Sequence, residues 1–407
     1  MIKTHLKFVA AMGSMKGSLS AKNSSIAVSN GIKNAFQQFY QNFGKTASKI
    51  TYEIIERPAA DGGDDTLDAI ADKIYETKVM NPLGHEILAI WGARDNQAVI
   101  EMAKASGIAL IKSDQLNPFI TTTFGTGQLI FNAIKKGYKN ILLTIGGSAT
   151  IDGGIGALGA LGAQFFDKNS QRIKPYGNSA AGIVQTADFS KMKTLFKGIS
   201  IKIACDVTNP LFGPNGSSNI FGPQKLPPKI RMNEKELKKC INKMEKNLMN
   251  FNQVLIKSCN RDVSSLPGSG AAGGFPIGFC SVLNAKLDKG SKLVLDLLKF
   301  DELLDADVVF TSEGRCDNQT LSGKTPFAIC QKMKNSKVMV LCGGIQNSEV
   351  EEKMLKSGAT LVSSICDKPM TLEESQKRTP ELIQRAASRI TYFYLSQYFQ
   401  KIINSTR

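Results

Sequence analysis

The chain has 407 residues, enough for two or three domains, and its contents of 42% hydrophobic and 21% charged residues are those of a globular protein, which excludes a disordered one. No apolar stretch approaches the ~18 residues that span a bilayer, and the apolar centre of the first segment is too short for a secretory leader, so we expect a cytoplasmic protein. The formal net charge of +16 favours a lysine-rich surface first, an anionic substrate second and a nucleic acid third, because acids are interleaved with the lysines and no basic arm or RNA-binding pattern is present.

Strand and helix patterns alternate along the chain, which predicts a parallel α/β architecture. The first strand is expected over residues 6–12. Ser20 is expected to cap a helix that carries apolar side chains on one face, namely Ile26, Ile32, Phe36 and Phe39. Further strands are predicted over residues 49–56, 86–91, 140–145, 201–207, 308–311, 337–341 and 360–365, and long helices over 234–259 and 381–403.

The composition shifts in the middle of the chain, where glycine-rich turns crowd between Gly125 and Gly274. Residues 1–65 and 290–407 are therefore expected to form one discontinuous, doubly wound sheet domain. Residues 66–289 would form an inserted second α/β domain, with the active site in the cleft between the two.

Two residue types limit the chemistry. Eight cysteines are scattered without a C-x-x-C pair, which predicts reduced thiols rather than a disulfide frame or a zinc site. The two histidines lie beside no serine or cysteine nucleophile pattern, which argues against Ser–His or Cys–His catalysis. We therefore expect carboxylates or a lysine to transfer protons.

A dense set of charges follows the predicted strand 308–311, reading S-E-G-R-C-D-N-Q-T-L-S-G-K from residue 312 to residue 324. In an open α/β sheet a ligand crevice forms at the carboxyl ends of the strands, and a rigid strand can aim the side chains of the loop that follows it. An anion- or metal-handling site is therefore favoured over a solvated turn, with four candidates: Glu313, Arg315, Asp317 and Lys324.

Two loops in the first part of the chain share this design. Between the first strand and the first helix, S-M-K-G-S-L-S places Lys16 and Ser18 where helix N–H groups favour phosphate. Further on, A-D-G-G-D-D-T brings together Asp61, Asp64 and Asp65 beside paired glycines, which suits Mg²⁺. An ordinary first helical turn explains the last two acids equally well.

Three more such loops lie in the middle of the chain. The glycine-rich run 146–154 follows a strand and predicts an anion-binding nest. Asp206 and Asn209 end another strand and would reach a similar crevice. Residues 267–274 contain G-x-G-x-x-G but follow no strand, so they are either a phosphate-cradling loop or a packing loop.

Taken together, these loops resemble the motifs of the bacterial-type class I glycerate kinases. The motifs occur in order from Phe8 to Gly344, as A-M-G-S-M-K-G-S-L-S-A, A-A-D-G-G-D-D-T, N-P-L-G, T-T-T-F-G-T-G-Q-L-I, I-G-G-S-A-T-I-D-G-G, C-D-V-T-N-P-L-F-G-P-N-G, F-G-P-Q-K, P-G-S-G-A-A-G-G and E-G-R-C-D-N-Q-T-L-S-G-K. The resemblance implies phosphorylation of D-glycerate with ATP and Mg²⁺, favouring 2-phosphoglycerate. It also implies a discontinuous Rossmann-like parallel-sheet domain that holds an inserted second α/β domain, and small-molecule partners rather than nucleic acid or membrane.

By motif match, the resemblance implies four sets of site residues. The catalytic set is Lys16, Asp206, Arg315 and Asp317. The substrate-binding set is Ser14, Asp61, Gly268, Ser269, Gly270, Gln319, Thr320 and Lys324. The nucleotide-binding set is Ser148, Thr150 and Asn209, and the metal-binding set is Asp61, Asp206 and Glu313.

We expect Lys16 and Arg315 to contact phosphate or the glycerate carboxylate, and either Asp206 or Asp317 to accept the hydroxyl proton. Met12 stands in place of a proline, Gln128 in place of a glutamate, and Asp64 and Asp65 where Glu and Gly are usual in the family. Three further positions depart from the family pattern. Gly13 replaces an acid, Ile151 an asparagine and Ser312 a glycine. The departures leave room for another small hydroxy acid as the acceptor, and the charge alone would allow a non-catalytic anion- or nucleic-acid-binding protein.

Overall fold

The computed structural model describes residues 4–63 and 66–406. The chain divides into two compact units. The first unit runs to Asp61, takes in Asp68–Ile70 and resumes at Ser291, whereas the second comprises Gly62–Leu67 and Ala71–Gly290. The predicted Asp64 and Asp65 lie outside the described residues.

Strands occur along the whole described chain. They are β1 (His5–Ala10), β2 (Thr51–Glu56), β3 (Lys73–Met80), β4 (Glu86–Arg94), β5 (Gln97–Glu101), β6 (Asn140–Thr144), β7 (Gln164–Phe166), β8 (Thr186–Asp188), β9 (Ser200–Ala204), β10 (Lys286–Asp288), β11 (Val308–Cys316), β12 (Lys337–Ile345) and β13 (Ala359–Ser364).

The α-helices range from one turn to about ten. They are α1 (Ala21–Ala47), α2 (Thr66–Ile70), α3 (Ala103–Ser106), α4 (Phe124–Lys135), α5 (Ile155–Ala160), α6 (Gly177–Ile183), α7 (Ser190–Leu195), α8 (Ser217–Phe221), α9 (Pro228–Arg231), α10 (Glu234–Cys259), α11 (Ala271–Gly274), α12 (Pro276–Leu283), α13 (Gly290–Leu297), α14 (Thr325–Lys332), α15 (Ser348–Lys356) and α16 (Leu372–Thr406). Short 3₁₀ helices cover Ile108–Leu110, Ser113–Gln115, Pro223–Lys225, Phe300–Leu303 and Thr320–Ser322.

The first unit contains a five-stranded sheet in the order β13-β12-β11-β1-β2, and every neighbouring pair is parallel. From β1 the chain proceeds outward to β2, and from β11 it proceeds outward in the other direction to β12 and β13. The strand order therefore reverses between β1 and β11. Ligands of open parallel sheets bind at such a switch point, beyond the carboxyl ends of the strands.

Helices α1 and α16 pack together beside this sheet. Phe8 of β1 meets Phe36 of α1 at a ring-centroid distance of 5.7 Å and Tyr394 of α16 at 6.3 Å. The predicted cap is confirmed, because the Ser20 hydroxyl accepts a hydrogen bond from the Asn23 N–H at 3.2 Å. Ile26 was wrongly assigned to the buried face and is 38% exposed. It precedes Ile32 by six residues and so lies about 120° around the helix from the buried stripe.

The second unit contains a six-stranded sheet in the order β10-β9-β6-β5-β4-β3 and a separate two-stranded pair, β7 and β8. Strands β10, β9, β6 and β5 are parallel, whereas β4 runs antiparallel to both β5 and β3. Large apolar side chains fill its core, including Trp91, Phe165, Phe251 and Phe275. The α/β class with parallel sheets is therefore confirmed, and the antiparallel edge is an addition to the prediction.

Two boundaries differ from the predicted ones in a way that matters for function. Strand β11 continues to Cys316 because it pairs with β12 as far as Ile345, so Glu313 and Arg315 lie on a strand and not in a loop. Strand β9 ends at Ala204, so Asp206 lies in the loop beyond it. All eight cysteines are free thiols, as predicted. In the part of the chain that the structure describes, no helix is long and apolar enough to cross a membrane.

Candidate active site

The loop after β1 is a tight turn. The Met15 N–H donates to the Leu19 carbonyl at 2.8 Å, and Gly17 at the turn has a φ of 77°. Lys16 is exposed at the tip of this turn. The Ser18 hydroxyl donates instead to the Thr379 hydroxyl at 2.8 Å, which ties the loop to α16. Of the two donors predicted here, only Lys16 is presented to solvent.

Glu313, near the carboxyl end of β11, is the centre of a polar cluster in the first unit. Its two carboxylate oxygens accept hydrogen bonds from the Thr320 hydroxyl at 2.7 Å and from the Lys324 ammonium at 2.8 Å. The side chain of Glu313 is only 17% exposed, and Thr320 is fully buried. Because burial strengthens such contacts, the cluster fixes the loop between β11 and α14.

Asp317 orders the same loop from within. One of its carboxylate oxygens accepts hydrogen bonds from the Gln319 N–H at 2.9 Å and the Thr320 N–H at 3.3 Å. The Thr320 hydroxyl oxygen in turn accepts one from the Asp317 N–H at 3.1 Å. Gln319 and Arg315 are exposed beside this turn. The end of β11 therefore presents a guanidinium, and the loop after it presents an amide, from a rigid base.

Lys324 interacts with three carboxylates of the first unit. Burial acts to lower the pKa of Lys324, but the hydrogen bond to Glu313 and the negative charges of Glu313, Asp317 and Asp61 outweigh it and raise the pKa above its ordinary value. Lys324 is therefore a protonated ammonium at neutral pH. Five of the predicted site residues come together in this way: Asp61, Glu313, Asp317, Thr320 and Lys324.

Two of the departures from the family pattern contact each other. The Ser312 hydroxyl donates to the Gly13 carbonyl at 3.0 Å. A Cβ atom at position 13 would lie 2.7 Å from the Ser312 carbonyl oxygen, closer than real Cβ atoms approach. An acidic side chain at position 13 therefore does not fit this backbone. A further departure, Ile151, is a fully buried core residue.

In the second unit, the predicted anion nest after β6 holds a cation instead. Lys225, at the end of the 3₁₀ helix Pro223–Lys225, is only 1% exposed. Its Nζ donates to the Ser148 hydroxyl at 2.7 Å and to the Thr150 carbonyl at 2.7 Å. Burial lowers the pKa of Lys225 to about 7, and the charge of Asp152 opposes that effect.

Asp152 anchors the same loop. Its carboxylate is fully buried and accepts hydrogen bonds from the Thr123 N–H at 2.9 Å, the Thr123 hydroxyl at 2.8 Å and the Gly154 N–H at 3.0 Å. Burial raises the pKa of Asp152, and these donors act in the opposite direction. The loop that carries Ser148 and Thr150 is thus fixed by hydrogen bonds from Lys225 and by the hydrogen bonds that Asp152 accepts.

A cavity of about 280 Å³ lies within the second unit, beyond the carboxyl ends of β6 and β9. Asp206 lies in its wall, and one of its carboxylate oxygens accepts the Gly290 N–H at 2.9 Å. The further polar groups of the wall are Ser148, Cys205, Gln224 and Lys225. The remainder of the wall is glycine backbone and apolar side chains, namely Gly62, Gly63, Ile108, Ile145, Gly146, Gly147, Ala204, Val207, Phe221, Ala271 and Ala272.

Residues 267–274 are packed tightly in the structure. The Gly270 N–H donates to the Asn209 carbonyl at 3.0 Å, and a Cβ at Gly270 would lie 2.1 Å from the Pro210 carbonyl oxygen. The buried Ser269 hydroxyl donates to the Ser264 carbonyl at 2.7 Å, and Gly268 has a φ of 89°. These contacts are those of the packing alternative, and substrate binding by Gly268, Ser269 and Gly270 stays a prediction.

Comparison with known proteins identifies the family of this chain. The model of the glycerate kinase family matches residues 8–395. A glycerate kinase of Bacillus cereus is 37% identical over 392 residues, which cover 95% of this chain and 97% of that protein. A glycerate 2-kinase of Escherichia coli is 34% identical over 394 residues, covering 95% of this chain and 97% of that protein. The chain belongs to the glycerate kinase family.

The fold of this family member also has a counterpart among solved structures. The crystal structure of a protein described as glycerate kinase 2 from Salmonella typhimurium LT2 matches it with a TM-score of 0.82 at 32% identity, covering 97% of this chain and 99% of that one. The predicted family and the predicted function as a kinase that phosphorylates a hydroxyl of glycerate are therefore confirmed.

The family implies a divalent metal, for which the carboxylates of this chain are the candidate ligands. Within residues 4–63 and 66–406, no group of three or more Asp, Glu, His or Cys side chains is arranged to hold a metal ion. Mg²⁺ usually takes only one or two carboxylates and completes its shell with phosphate oxygens and water. Asp206 in the cavity wall fits that chemistry, whereas both oxygens of Glu313 already accept protein hydrogen bonds.

One residue of this glycerate kinase was missed by sequence reasoning. Lys225 ends the motif F-G-P-Q-K, which supported the resemblance, but no role was assigned to it. Its signal was a lone lysine between a glycine–proline turn and apolar Leu226, and its burial depends on the loop after β6. A lysine in such a setting cannot be told from a surface lysine by sequence.

Proposed function

We propose that this member of the family transfers the γ-phosphate of ATP to the 2-hydroxyl of D-glycerate in a Mg²⁺-dependent reaction. The observation that carries the proposal is the Glu313 cluster. It holds the most charged family motif rigid beside the point where the strand order of the first unit reverses. Such rigidity suits phosphoryl transfer, which depends mainly on positioning and on neutralising the charge of the moving group.

In this proposal, exposed cations of the first unit bind the anions. Lys16 at the tip of the turn after β1 and Arg315 on β11 contact the glycerate carboxylate or the transferred phosphate. A guanidinium can bind either group through two parallel hydrogen bonds. Ser14 and Gln319 supply neutral hydrogen-bonding groups, whereas Thr320 and Lys324, which were also predicted to bind substrate, keep Glu313 in place.

We assign the nucleotide to the cavity of the second unit. Ser148 lies in its wall, while Thr150 and Asn209 belong to the two loops that follow β6 and β9. The paired glycines Gly146 and Gly147 allow a phosphate to approach the backbone closely, and apolar walls suit a base. The buried Thr150 hydroxyl has no hydrogen-bond partner among the described residues, which supports a polar ligand near this loop.

Of the three predicted metal ligands, Asp206 is proposed first and Asp61 second, because both oxygens of Glu313 already accept hydrogen bonds. When bound, Mg²⁺ would neutralise charge on the phosphates. The proton of the glycerate hydroxyl is accepted by Asp206 or by Asp317. Both candidates have fixed contacts, since Asp317 accepts two loop N–H groups and one carboxylate oxygen of Asp206 accepts the Gly290 N–H.

The reaction is tested by incubating the protein with D-glycerate, ATP and Mg²⁺ and recording a proton-coupled phosphorus NMR spectrum. A phosphate on the 2-hydroxyl is attached to a carbon with one hydrogen and gives a doublet, whereas one on the 3-hydroxyl gives a triplet. The doublet is expected. A triplet would overturn the regiochemistry, and ATP consumption that does not depend on glycerate would overturn the proposal.

The base is tested with Asp206→Asn and Asp317→Asn, using Asp114→Asn at an exposed position as the matched control. Loss of the base should lower kcat by about 10²- to 10⁴-fold. Nucleotide affinity should persist in the variant that lacks the base, which separates this role from metal binding. If both variants turn over like the control, neither aspartate is the base.

A second candidate function keeps the phosphotransfer but changes the acceptor to another small hydroxy acid. The contact between Gly13 and Ser312 supports a different acceptor, because this chain has no space for the acid that is usual at position 13. Comparing kcat/KM across a set of small hydroxy acids decides between the two. Glycerate is expected to have the highest value.

A further inference from the structure

Lys225 is a buried amine in the wall of the cavity, and the number of acceptors around its Nζ indicates its protonation state. A neutral lysine amine has two N–H donors, and the two acceptors present, the Ser148 hydroxyl and the Thr150 carbonyl, satisfy both. A protonated lysine has three donors. In the part of the chain that the structure describes, no third acceptor is hydrogen-bonded to Nζ. The protein alone therefore suits the neutral amine.

The surroundings of Lys225 place the pKa at which its amine changes from the protonated to the neutral form near neutral pH. Burial lowers the pKa of Lys225 from 10.5 to about 7, and Asp152 acts against that effect. Asp206 lies in the cavity wall, whereas Asp152 is buried behind the loop and does not line the cavity. The carboxylate of Asp152 accepts its hydrogen bonds from Thr123 and Gly154, whereas Lys225 donates to Ser148 and Thr150. An additional anion in the cavity would both accept the third hydrogen bond and favour the charged form.

We propose that Lys225 binds a phosphate group of the nucleotide in this cavity and takes up a proton when it does so. The inference rests on the proposed assignment of the nucleotide to the second unit. A phosphate oxygen completes the third hydrogen bond of the ammonium, while Ser148 and the Thr150 carbonyl keep Nζ directed by the loop after β6. Nucleotide binding by this chain is then coupled to pH through one residue.

Isothermal titration calorimetry of the full chain tests the proton uptake. ADP and a non-hydrolysable ATP analogue are titrated with Mg²⁺ at pH 8 in two buffers with different ionisation enthalpies. At this pH the amine of the free protein is mostly neutral, so binding should take up about one proton per nucleotide. Repeating the titration at pH 6, where the amine is already protonated, should abolish the uptake.

Lys225→Met and the exposed control Lys246→Met separate binding from structure. Loss of a charge-assisted hydrogen bond should weaken nucleotide binding of Lys225→Met by about 10- to 100-fold and abolish the proton uptake, whereas the control should behave as the wild type. The pH profile of the wild-type protein provides the same answer should Lys225→Met fail to fold.

Each remaining outcome decides the question. Wild-type protein that binds no nucleotide contradicts the proposed function itself. Nucleotide binding without proton uptake, or equal affinity in Lys225→Met, overturns the role of Lys225 and leaves the kinase assignment intact. Proton uptake with phosphoglycerate or inorganic phosphate but not with nucleotide would reassign the cavity to the acceptor or product.

Discussion

Lys225 makes the stability of the second unit depend on pH in a calculable way. The folded chain holds its amine at a pKa of about 7, whereas the unfolded chain restores the ordinary value of 10.5. Between these two values the unfolded chain binds a proton that the folded chain lacks. The contribution of Lys225 to the free energy of unfolding therefore rises with pH and is lost as the pH falls toward 7.

The magnitude follows from the constant of about 1.36 kcal/mol for each pH unit in this window. Between pH 7.5 and 9.5 the wild-type protein should gain about 2–3 kcal/mol of stability relative to Lys225→Met. The raised pKa of the Cys280 thiol, about 12 against an ordinary 9.0, acts in the opposite direction above pH 9. That effect is common to both proteins, so it cancels in their difference.

Trp91 provides the assay. It is the only tryptophan of the chain, lies on β4 of the second unit and is fully buried, so its fluorescence reports the unfolding of the unit that contains Lys225. Urea unfolding is recorded at pH 7.5, 8.5 and 9.5 for the wild type, Lys225→Met and the exposed control Lys246→Met. Parallel pH dependence of wild type and Lys225→Met would refute the reasoning.

Three further substitutions test contacts of the two units. Thr320→Val keeps the shape of the side chain but removes a donor to the buried Glu313, so we expect a loss of about 1–3 kcal/mol in urea unfolding followed by circular dichroism, and an unchanged midpoint would contradict it. Asp152→Asn should destabilise the second unit by a similar amount, since its amide would face an N–H donor; unaltered Trp fluorescence curves would disprove this. Gly270→Ala should lower the melting temperature through overpacking, whereas Gly344→Ala, with open space at its Cβ, should not; equal melting temperatures would refute the close approach.

Local sequence predicted eight of the strands and the three longest helices of the described chain, but not strands β3, β5, β7, β8 and β10. Helix α10 has the predicted bounds, and Ser20 caps α1 as its side-chain chemistry requires. The alternation of strands and helices correctly predicted an α/β fold with parallel sheets. Polar segments that carried the resemblance lie at or beyond the carboxyl ends of β1 and β11 in the first sheet and of β6 and β9 in the second, because parallel strands place these ends along one edge of each sheet.

Long-range pairing determined the extent of β11 and other features that local sequence signals do not report. The apolar run of β11 stops before Glu313, but hydrogen bonding to β12 extends the strand to Cys316 and turns two predicted loop residues into strand residues. Strand pairing joins segments that are distant in sequence, so no local pattern reports it. The same holds for the contact between Gly13 and Ser312.

Burial was the other property that only the tertiary structure could supply. Lys225 is one of many lysines in a chain with a net charge of +16, and nothing in its neighbours distinguishes it from a surface residue. Its low pKa arises because the folded loops of the second unit remove it from water while leaving it only two acceptors. The sequence determined which chemical groups this kinase has, and the fold determined which of them are desolvated, because desolvation depends on the surrounding chain as a whole.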